Sequence, residues 1–124
     1  MGAQPQRPLP CDTRPVEAAA LENAYVSAVV VNRLHLTVPV DEIAPVIARE
    51  LVPALDSIAG FERFYFVKTA EDRADIVIVW SDVEAAAAGA AVLGPTLFAK
   101  HLAPILASPQ ERAFGPALVA HSAS

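Results

Sequence analysis

The chain has 124 residues, of which 54% are hydrophobic, and a formal net charge of −5. This length predicts a single domain, and the acidic balance argues against nucleic acid as a partner, because phosphate binding needs clustered Lys and Arg. The apolar runs are too short or too interrupted to span a bilayer, so no membrane partner is expected and a cytoplasmic location is the default expectation.

The beginning of the chain is rich in proline, with four prolines in the first fifteen residues. This composition predicts a flexible arm over residues 1–22, followed by one domain over residues 23–124. The lone cysteine, Cys11, lies in the arm and cannot form an internal disulfide. We interpret it as an exposed thiol.

The first half of the domain predicts a strand, a helix and a second strand. The first strand covers residues 25–38, and Asp41 is the expected N-cap of a helix whose apolar positions recur at helical spacing up to Ile58. Pro53 should make that helix irregular. Gly60 is expected to end it in the left-handed conformation, directly before a strand over residues 61–68.

The second half repeats the pattern with a strand, a helix and a strand. The third strand is predicted over residues 74–80, and Ser81 with Glu84 has the spacing of a capping box that starts the second helix. Gly94-Pro95 is expected to break this helix before it resumes. The last strand is predicted over residues 113–121, weakened by Gly115-Pro116 as suits an edge strand.

This β-α-β-β-α-β order predicts an α+β, ferredoxin-like fold. Right-handed crossovers give a four-stranded antiparallel sheet of order 4-1-3-2, with both helices on one face. The other face would expose apolar residues such as Val29 and Val31. We therefore expect a homodimer in which two such faces pack together as a dimeric α+β barrel.

Three short segments resemble the antibiotic biosynthesis monooxygenase (ABM) superfamily, over roughly residues 25 to 121. They are Asn32–Leu34 in the first strand, Ile58–Phe61 at the end of the first helix, and Val79–Ala85 at the start of the second. The resemblance implies the dimeric α+β barrel. It also implies one of several activities, since some members oxidise aromatic polyketides without a cofactor and others degrade haem.

The haem-degrading branch builds its site from a first-strand Asn and from a Trp and a His on the second helix. Asn32 matches the Asn, and His101 falls close to the His. The Trp position falls at or near Gly89, whereas Trp80 matches a structural tryptophan. The resemblance therefore favours cofactor-independent oxidation, with haem binding through His101 as the weaker alternative.

Asn32 and His101 are the predicted catalytic residues. Asn32 is a polar residue on an apolar strand face, so its amide either bonds a neighbouring helix or faces a ligand oxygen. In the second case it would stabilise a substrate enolate while His101 acts as general base. The alternative for His101 is an exposed or core histidine without a catalytic role.

The predicted walls of a pocket for a planar aromatic substrate are large rings beside a small-residue helix. They are Trp80, Phe64, Phe66 and Phe98, next to Gly89. These rings are alternatively plain core residues, and the alanine-rich helix either packs closely on the sheet or leaves a cavity.

The sequence has no metal-ligand spacing, no Gly-rich phosphate loop and no flavin or nicotinamide fingerprint, so neither a metal nor a cofactor is predicted. Two functions stay open. One is a cofactor-independent monooxygenase acting on an aromatic or polyketide-like substrate. The other is a non-catalytic dimeric module that binds an apolar or aromatic small molecule.

Overall fold

Four strands form one antiparallel sheet in the computed structural model, which describes residues 26–123. They are β1 (Ala28–His35), β2 (Phe61–Ala70), β3 (Arg73–Trp80) and β4 (Glu111–Pro116). Their order is β2-β3-β1-β4, which is the predicted order 4-1-3-2 counted from the other edge. The ferredoxin-like α+β fold is therefore confirmed. Cys11 and the predicted arm lie outside the described residues.

Two helical regions cover one face of the sheet. The first contains α1 (Val40–Val46), a π-helical turn (Ile47–Leu51) and α2 (Val52–Asp56). The second contains α3 (Val83–Leu93), a π-helical segment (Gly94–Leu102) and a 3-10 turn (Ala103–Ile105). Within residues 26–123, none of these helices has the length and apolarity needed to cross a membrane.

Both helical regions begin differently from the sequence prediction. α1 follows Pro39 without a side-chain cap, and Asp41 instead accepts a hydrogen bond from Lys68 at 3.0 Å, which raises the pKa of that lysine above its ordinary value. The N-cap of α3 is Asp82, whose carboxylate accepts from the Ala85 N–H at 2.7 Å. Ser and Asp are both good N-caps, so the sequence alone did not decide between Ser81 and Asp82.

The α-helix ends at Leu93, directly before Gly94-Pro95, as predicted, but the expected interruption of the helical chain is absent. Gly94 keeps helical dihedral angles, and the chain continues in π-helical turns through Leu102. Pro95 has no N–H to bond the carbonyl four residues earlier. In a π-helix each carbonyl instead bonds the N–H five residues later, so the winding can continue past the proline. The predicted irregularity near Pro53 is present as the π-helical turn that directly precedes α2.

Gly60 ends the first helical region as predicted, in the left-handed conformation with φ +87°. A Cβ atom there would lie 2.6 Å from the Ala85 Cβ, so glycine is required both for the dihedral angle and for close packing against α3. The Ser81 N–H donates to the Gly60 carbonyl at 2.7 Å. This junction fixes α3 relative to the strands.

The register of the central strand β1 decides which side chains face the helices. Asn32 is paired with Ile76 on β3 and with Arg112 on β4, so all three project from the helix-covered face. β4 begins at Glu111 and not at residue 113, and it ends at Pro116 and not at 121.

The opposite face of the sheet carries no helix. Its centre is apolar, with half-buried Val29, Val31, Val77 and Val79 beside half-exposed Tyr65. One end of this face is charged. There Arg33 is paired with Asp75 on one side and with Glu111 on the other.

Candidate functional site

A cavity of about 250 Å³ lies between α3 and the helix-covered face of the sheet. Small side chains of α3, Ala86 and Ala90, stand over the strands and leave this space unfilled. We call it the Asn32 cavity, and it is lined by Val30, Asn32, Ile78, Trp80, Ala86, Ala90, Leu93, Gly94, Phe98, Gln110 and Arg112. The alanine-rich helix thus leaves a cavity here and does not pack closely along its whole length.

Asn32 is the only buried polar residue of the part of the chain that the structure describes, with 3% of its surface exposed. Its Oδ1 atom is buried and has no hydrogen-bond partner within residues 26–123. A buried polar atom without a partner costs about 1 to 3 kcal/mol. The carboxamide therefore presents an unpartnered acceptor atom to the cavity and makes no visible contribution to stability.

The indole of Trp80 forms another part of the cavity wall and covers Gly89. Trp80 is 1% exposed and packs edge to face against Phe61, with ring centroids 6.0 Å apart. A Cβ atom added at Gly89 would collide with the Trp80 ring. Gly89 is thus a site of close packing and does not line the cavity, contrary to its predicted role in the substrate pocket.

His101 lies in a different and much smaller cavity, of about 10 Å³, between the two helical regions. Its Nε2 atom is buried without a hydrogen-bond partner among the described residues, and Glu50 Oε1 lies 4.0 Å away. Phe98 contributes to the linings of both cavities. The structure therefore does not bring Asn32 and His101 to one cavity.

The four predicted aromatic walls divide into two pairs. Trp80 and Phe98 line the Asn32 cavity. Phe64 and Phe66 are half-buried on β2, where they pack against the hydrophobic core and do not belong to the cavity lining. Their alternation along the strand correctly predicted that they lie on the helix-covered face of the sheet. It could not show that they lie too far away to line the cavity.

Two residues of the cavity opening were not predicted, Gln110 and Arg112. Both are exposed; Gln110 directly precedes β4, and Arg112 is its second residue. The predicted strand began at residue 113, so neither residue received a position in the sheet. The alternation of Arg112 and Phe114 on one face with Glu111 and Ala113 on the other is the signal that would have placed them.

Within residues 26–123, no group of three or more His, Cys, Asp and Glu side chains could hold a metal ion. His35, at the end of β1, instead pairs with Asp72 at 3.1 Å. Among residues 26–123, no titratable side chain other than Arg112 lines the Asn32 cavity. The polar groups of its lining are therefore the amides of Asn32 and Gln110 and the guanidinium of Arg112.

No family sequence model and no curated protein matches the chain. Solved structures do. SnoaB from Streptomyces nogalater, a cofactor-independent oxygenase, superposes with a TM-score of 0.64 at 22% identity, covering 77% of this chain and 96% of SnoaB. The ActVA-Orf6 monooxygenase from Streptomyces coelicolor, in complex with nanaomycin D, gives 0.65 at 15% identity, covering 84% and 98%.

The chain has the antibiotic biosynthesis monooxygenase fold. An MhuD variant with two manganese protoporphyrin IX molecules per active site shares the ABM fold, with a TM-score of 0.60 at 18% identity over 77% of this chain and 99% of MhuD. Structures of this fold thus hold ligands as different as nanaomycin D and a porphyrin. The ligand of this chain has to be argued from its own cavity.

Substituting Gly89 by Ala is expected to destabilise this ABM fold by about 1 to 3 kcal/mol, the usual cost of overpacking. The added methyl group would collide with the buried Trp80 ring, so the ring or the helix has to shift. Thermal melts of Gly89→Ala and of Ala88→Ser, a change on the exposed side of α3, would measure this. Equal melting temperatures for wild type and Gly89→Ala would show that the ring can move.

Proposed function

We propose that this protein is a cofactor-independent monooxygenase that acts on an aromatic or polyketide-like small molecule in the Asn32 cavity. The observation that carries this proposal is the buried carboxamide of Asn32, which lines the Asn32 cavity and whose Oδ1 atom has no hydrogen-bond partner within residues 26–123. The ABM fold supports it, because cofactor-independent oxygenation occurs on that fold. Asn32, Trp80 and Phe98 are the predicted site residues that the proposal keeps.

In the proposed reaction the substrate supplies all the electrons. A phenol with an activated ring CH₂ ionises, and the resulting carbanion transfers an electron to O₂; the two radicals combine into a carbon-bound peroxide. The peroxide loses water and leaves a carbonyl group, so CH₂ and O₂ become C=O and H₂O. Asn32 contributes through the N–H donors of its carboxamide, which hydrogen bond to the oxygen on which the negative charge develops.

The proton released by the substrate has no acceptor in the cavity lining, so we propose that it passes to water at the opening. The positive charge of Arg112, at that opening, favours the ionised substrate. His101 was expected to act as general base. Its place in the second cavity gives that role no geometric support.

We propose that the protein is a homodimer formed by the helix-free faces of two sheets. The valine-rich centre of that face is apolar, and its charged end alternates Asp75, Arg33 and Glu111 across three strands. Two copies related by a twofold axis can bury the valines together while the opposite charges meet. The Asn32 cavity lies on the other face and stays accessible.

A non-catalytic ligand-binding module of the same fold is the second candidate function. The observation that favours it is the lack of any proton acceptor in the lining of the Asn32 cavity. Haem binding through His101 receives no such support, because a cavity of about 10 Å³ beside that residue cannot hold a macrocycle.

Oxygen uptake separates the enzyme from the binding module. The purified protein, with a metal chelator present, is incubated with bicyclic and tricyclic phenols that carry an activated CH₂ group. We expect oxygen consumption, with one atom of ¹⁸O₂ in the product carbonyl. Ligand binding without oxygen consumption across these substrates would contradict the monooxygenase and favour the binding module.

Substituting His101 by Gln is expected to leave the rate of oxygen uptake unchanged, because His101 does not line the Asn32 cavity. A general base would lose roughly 100- to 10,000-fold in rate on such a change. The same variant tests haem binding, since neither wild type nor His101→Gln should shift the Soret band of added haem. A large loss in the rate of oxygen uptake would show that His101 takes part in catalysis.

A further inference from the structure

The opening of the Asn32 cavity carries a positive charge. Arg112 is the only charged residue that residues 26–123 contribute to the lining, and none of their Asp or Glu side chains is part of it. The chain as a whole has a net charge of −5, so this cation is not part of a generally basic surface. A local cation at the mouth of an apolar cavity attracts anionic ligands.

The guanidinium of Arg112 stacks on an aromatic ring of its own strand. Its central carbon lies 5.0 Å from the ring centroid of Phe114, two residues along the same strand. No ion pair joins Arg112 to an acidic side chain within residues 26–123. Stacking orders the guanidinium while its in-plane N–H groups can still form a forked pair with a carboxylate.

Arg112 and Asn32 are direct cross-strand partners in the β1–β4 register. Directly opposed residues have their Cβ atoms about 5 Å apart and project from the same face. A ligand that reaches both groups therefore carries its two polar substituents close together. The amide is 3% exposed and the guanidinium lies at the opening, so the inner substituent is neutral or weakly acidic and the outer one is charged.

The size of the cavity limits the ring system. A volume of about 250 Å³ is below the range of roughly 300 to 1,000 Å³ that is typical of pockets for drug-sized ligands. One or two fused rings fit such a space more readily than the larger ring system of a typical aromatic polyketide. The aromatic walls formed by Trp80 and Phe98 suit a planar ligand.

We propose that the Asn32 cavity selects a small aromatic hydroxy acid, with the hydroxyl group at Asn32 and an adjacent carboxylate at Arg112. This inference rests on the proposed function in taking the Asn32 cavity as the ligand site. It goes further by naming Arg112 as the residue that determines specificity for an acid. It does not depend on whether the bound ligand is then oxidised.

Calorimetric titration with 3-hydroxy-2-naphthoate and with its methyl ester tests the proposal, because the two probes differ only in charge and one methyl group. We expect wild type to bind the acid about tenfold more tightly than the ester, the effect of a charged hydrogen bond weakened by solvent at the opening. Arg112→Met should lower affinity for the acid to that for the ester and leave the ester unchanged. Added salt should weaken binding of the acid only.

Two control variants test where the probes bind and whether Arg112 in particular is responsible. Arg49→Met removes an exposed arginine of the first helical region that does not line the Asn32 cavity, and it should change neither affinity. Ala90→Leu fills the cavity from α3 and should abolish binding of both probes. Retained binding in Ala90→Leu would contradict the proposed location.

The remaining outcomes separate this inference from the proposed function. Equal affinities of wild type for acid and ester, or an equal loss of both in Arg112→Met, would overturn the role of Arg112 while leaving the cavity as a ligand site. Failure of both probes to bind wild type would overturn the ligand site itself. Selective, Arg112-dependent binding of the acid, together with no oxygen uptake on any of the phenols with an activated CH₂ group, would support this inference and contradict the monooxygenase.

Discussion

Substituting Asn32 by Ala is expected to lower the rate of oxygen uptake by roughly 100- to 1,000-fold, the scale of losing one donor to a developing oxyanion. The loss should appear in kcat, because the hydrogen bond strengthens as charge develops on the substrate oxygen. Steady-state oxygen electrode measurements on wild type and Asn32→Ala check this. An unchanged kcat would exclude Asn32 from the reaction.

Asn32→Leu supplies the control for folding. The Asn32 Oδ1 atom has no partner within residues 26–123, so replacing the amide by an apolar side chain of similar size should leave the melting temperature unchanged or raise it. The same variant should be inactive. A strongly destabilised Asn32→Leu would show instead that the amide is structural, and the loss of activity in Asn32→Ala would then say nothing about chemistry.

Substituting Val31 by Asp is expected to dissociate the proposed homodimer. Val31 lies at the centre of the helix-free face, so the dimer would bury an unpaired carboxylate from each protomer. An unpaired buried charge costs several kcal/mol, and the dimer would carry this cost twice. Sedimentation velocity at micromolar concentration should give a dimer for wild type and a monomer or an aggregate for Val31→Asp.

Val92→Asp is the matched control, because it introduces the same charge on α3, where Val92 is 53% exposed. It should remain dimeric. A monomeric wild type at micromolar concentration, or a Val31→Asp dimer of undiminished stability, would contradict the proposed interface. Either result would require another explanation for the exposed valine-rich face.

The strand order and the position of Asn32 were predictable from the sequence because they depend on short-range patterns. Alternation in β1 placed Asn32 on the same face as Val30 and Leu34, all of which are buried. Gly60 marked the end of the first helical region, since a positive φ favours glycine. The crossover rule then determined the sheet order.

The separation of Asn32 from His101 was not predictable. The expectation that they share a cavity rested on the family resemblance and on an α-helix resuming after Gly94-Pro95, whereas residues 94–102 wind as a π-helix. Each residue of a π-helix advances by a smaller angle than in an α-helix, so the face occupied by His101 differs from the one that a 3.6-residue period gives. No residue type in this segment signals that winding by itself.

The position of Arg112 was missed for another reason. Strand ends depend on pairing with a neighbour, and β4 pairs with β1 back to Glu111, although local composition indicated a later start. The cavity itself is a property of packing. Ala86 and Ala90 line open space while Gly89, on the same helix, is closed off by an indole, and nothing in the run of small residues distinguishes these cases.

The contact between Gly89 and Trp80 also constrains how this protein can evolve. The Trp80 indole occupies the space that a side chain at position 89 would need. A larger residue at position 89 is therefore disfavoured while Trp80 is present. A smaller residue at position 80 leaves a void while Gly89 is present. Only a paired change avoids both penalties, which makes the two positions strongly epistatic. A lineage that shifts its aromatic ring from the strand to the helix must therefore cross a barrier in stability.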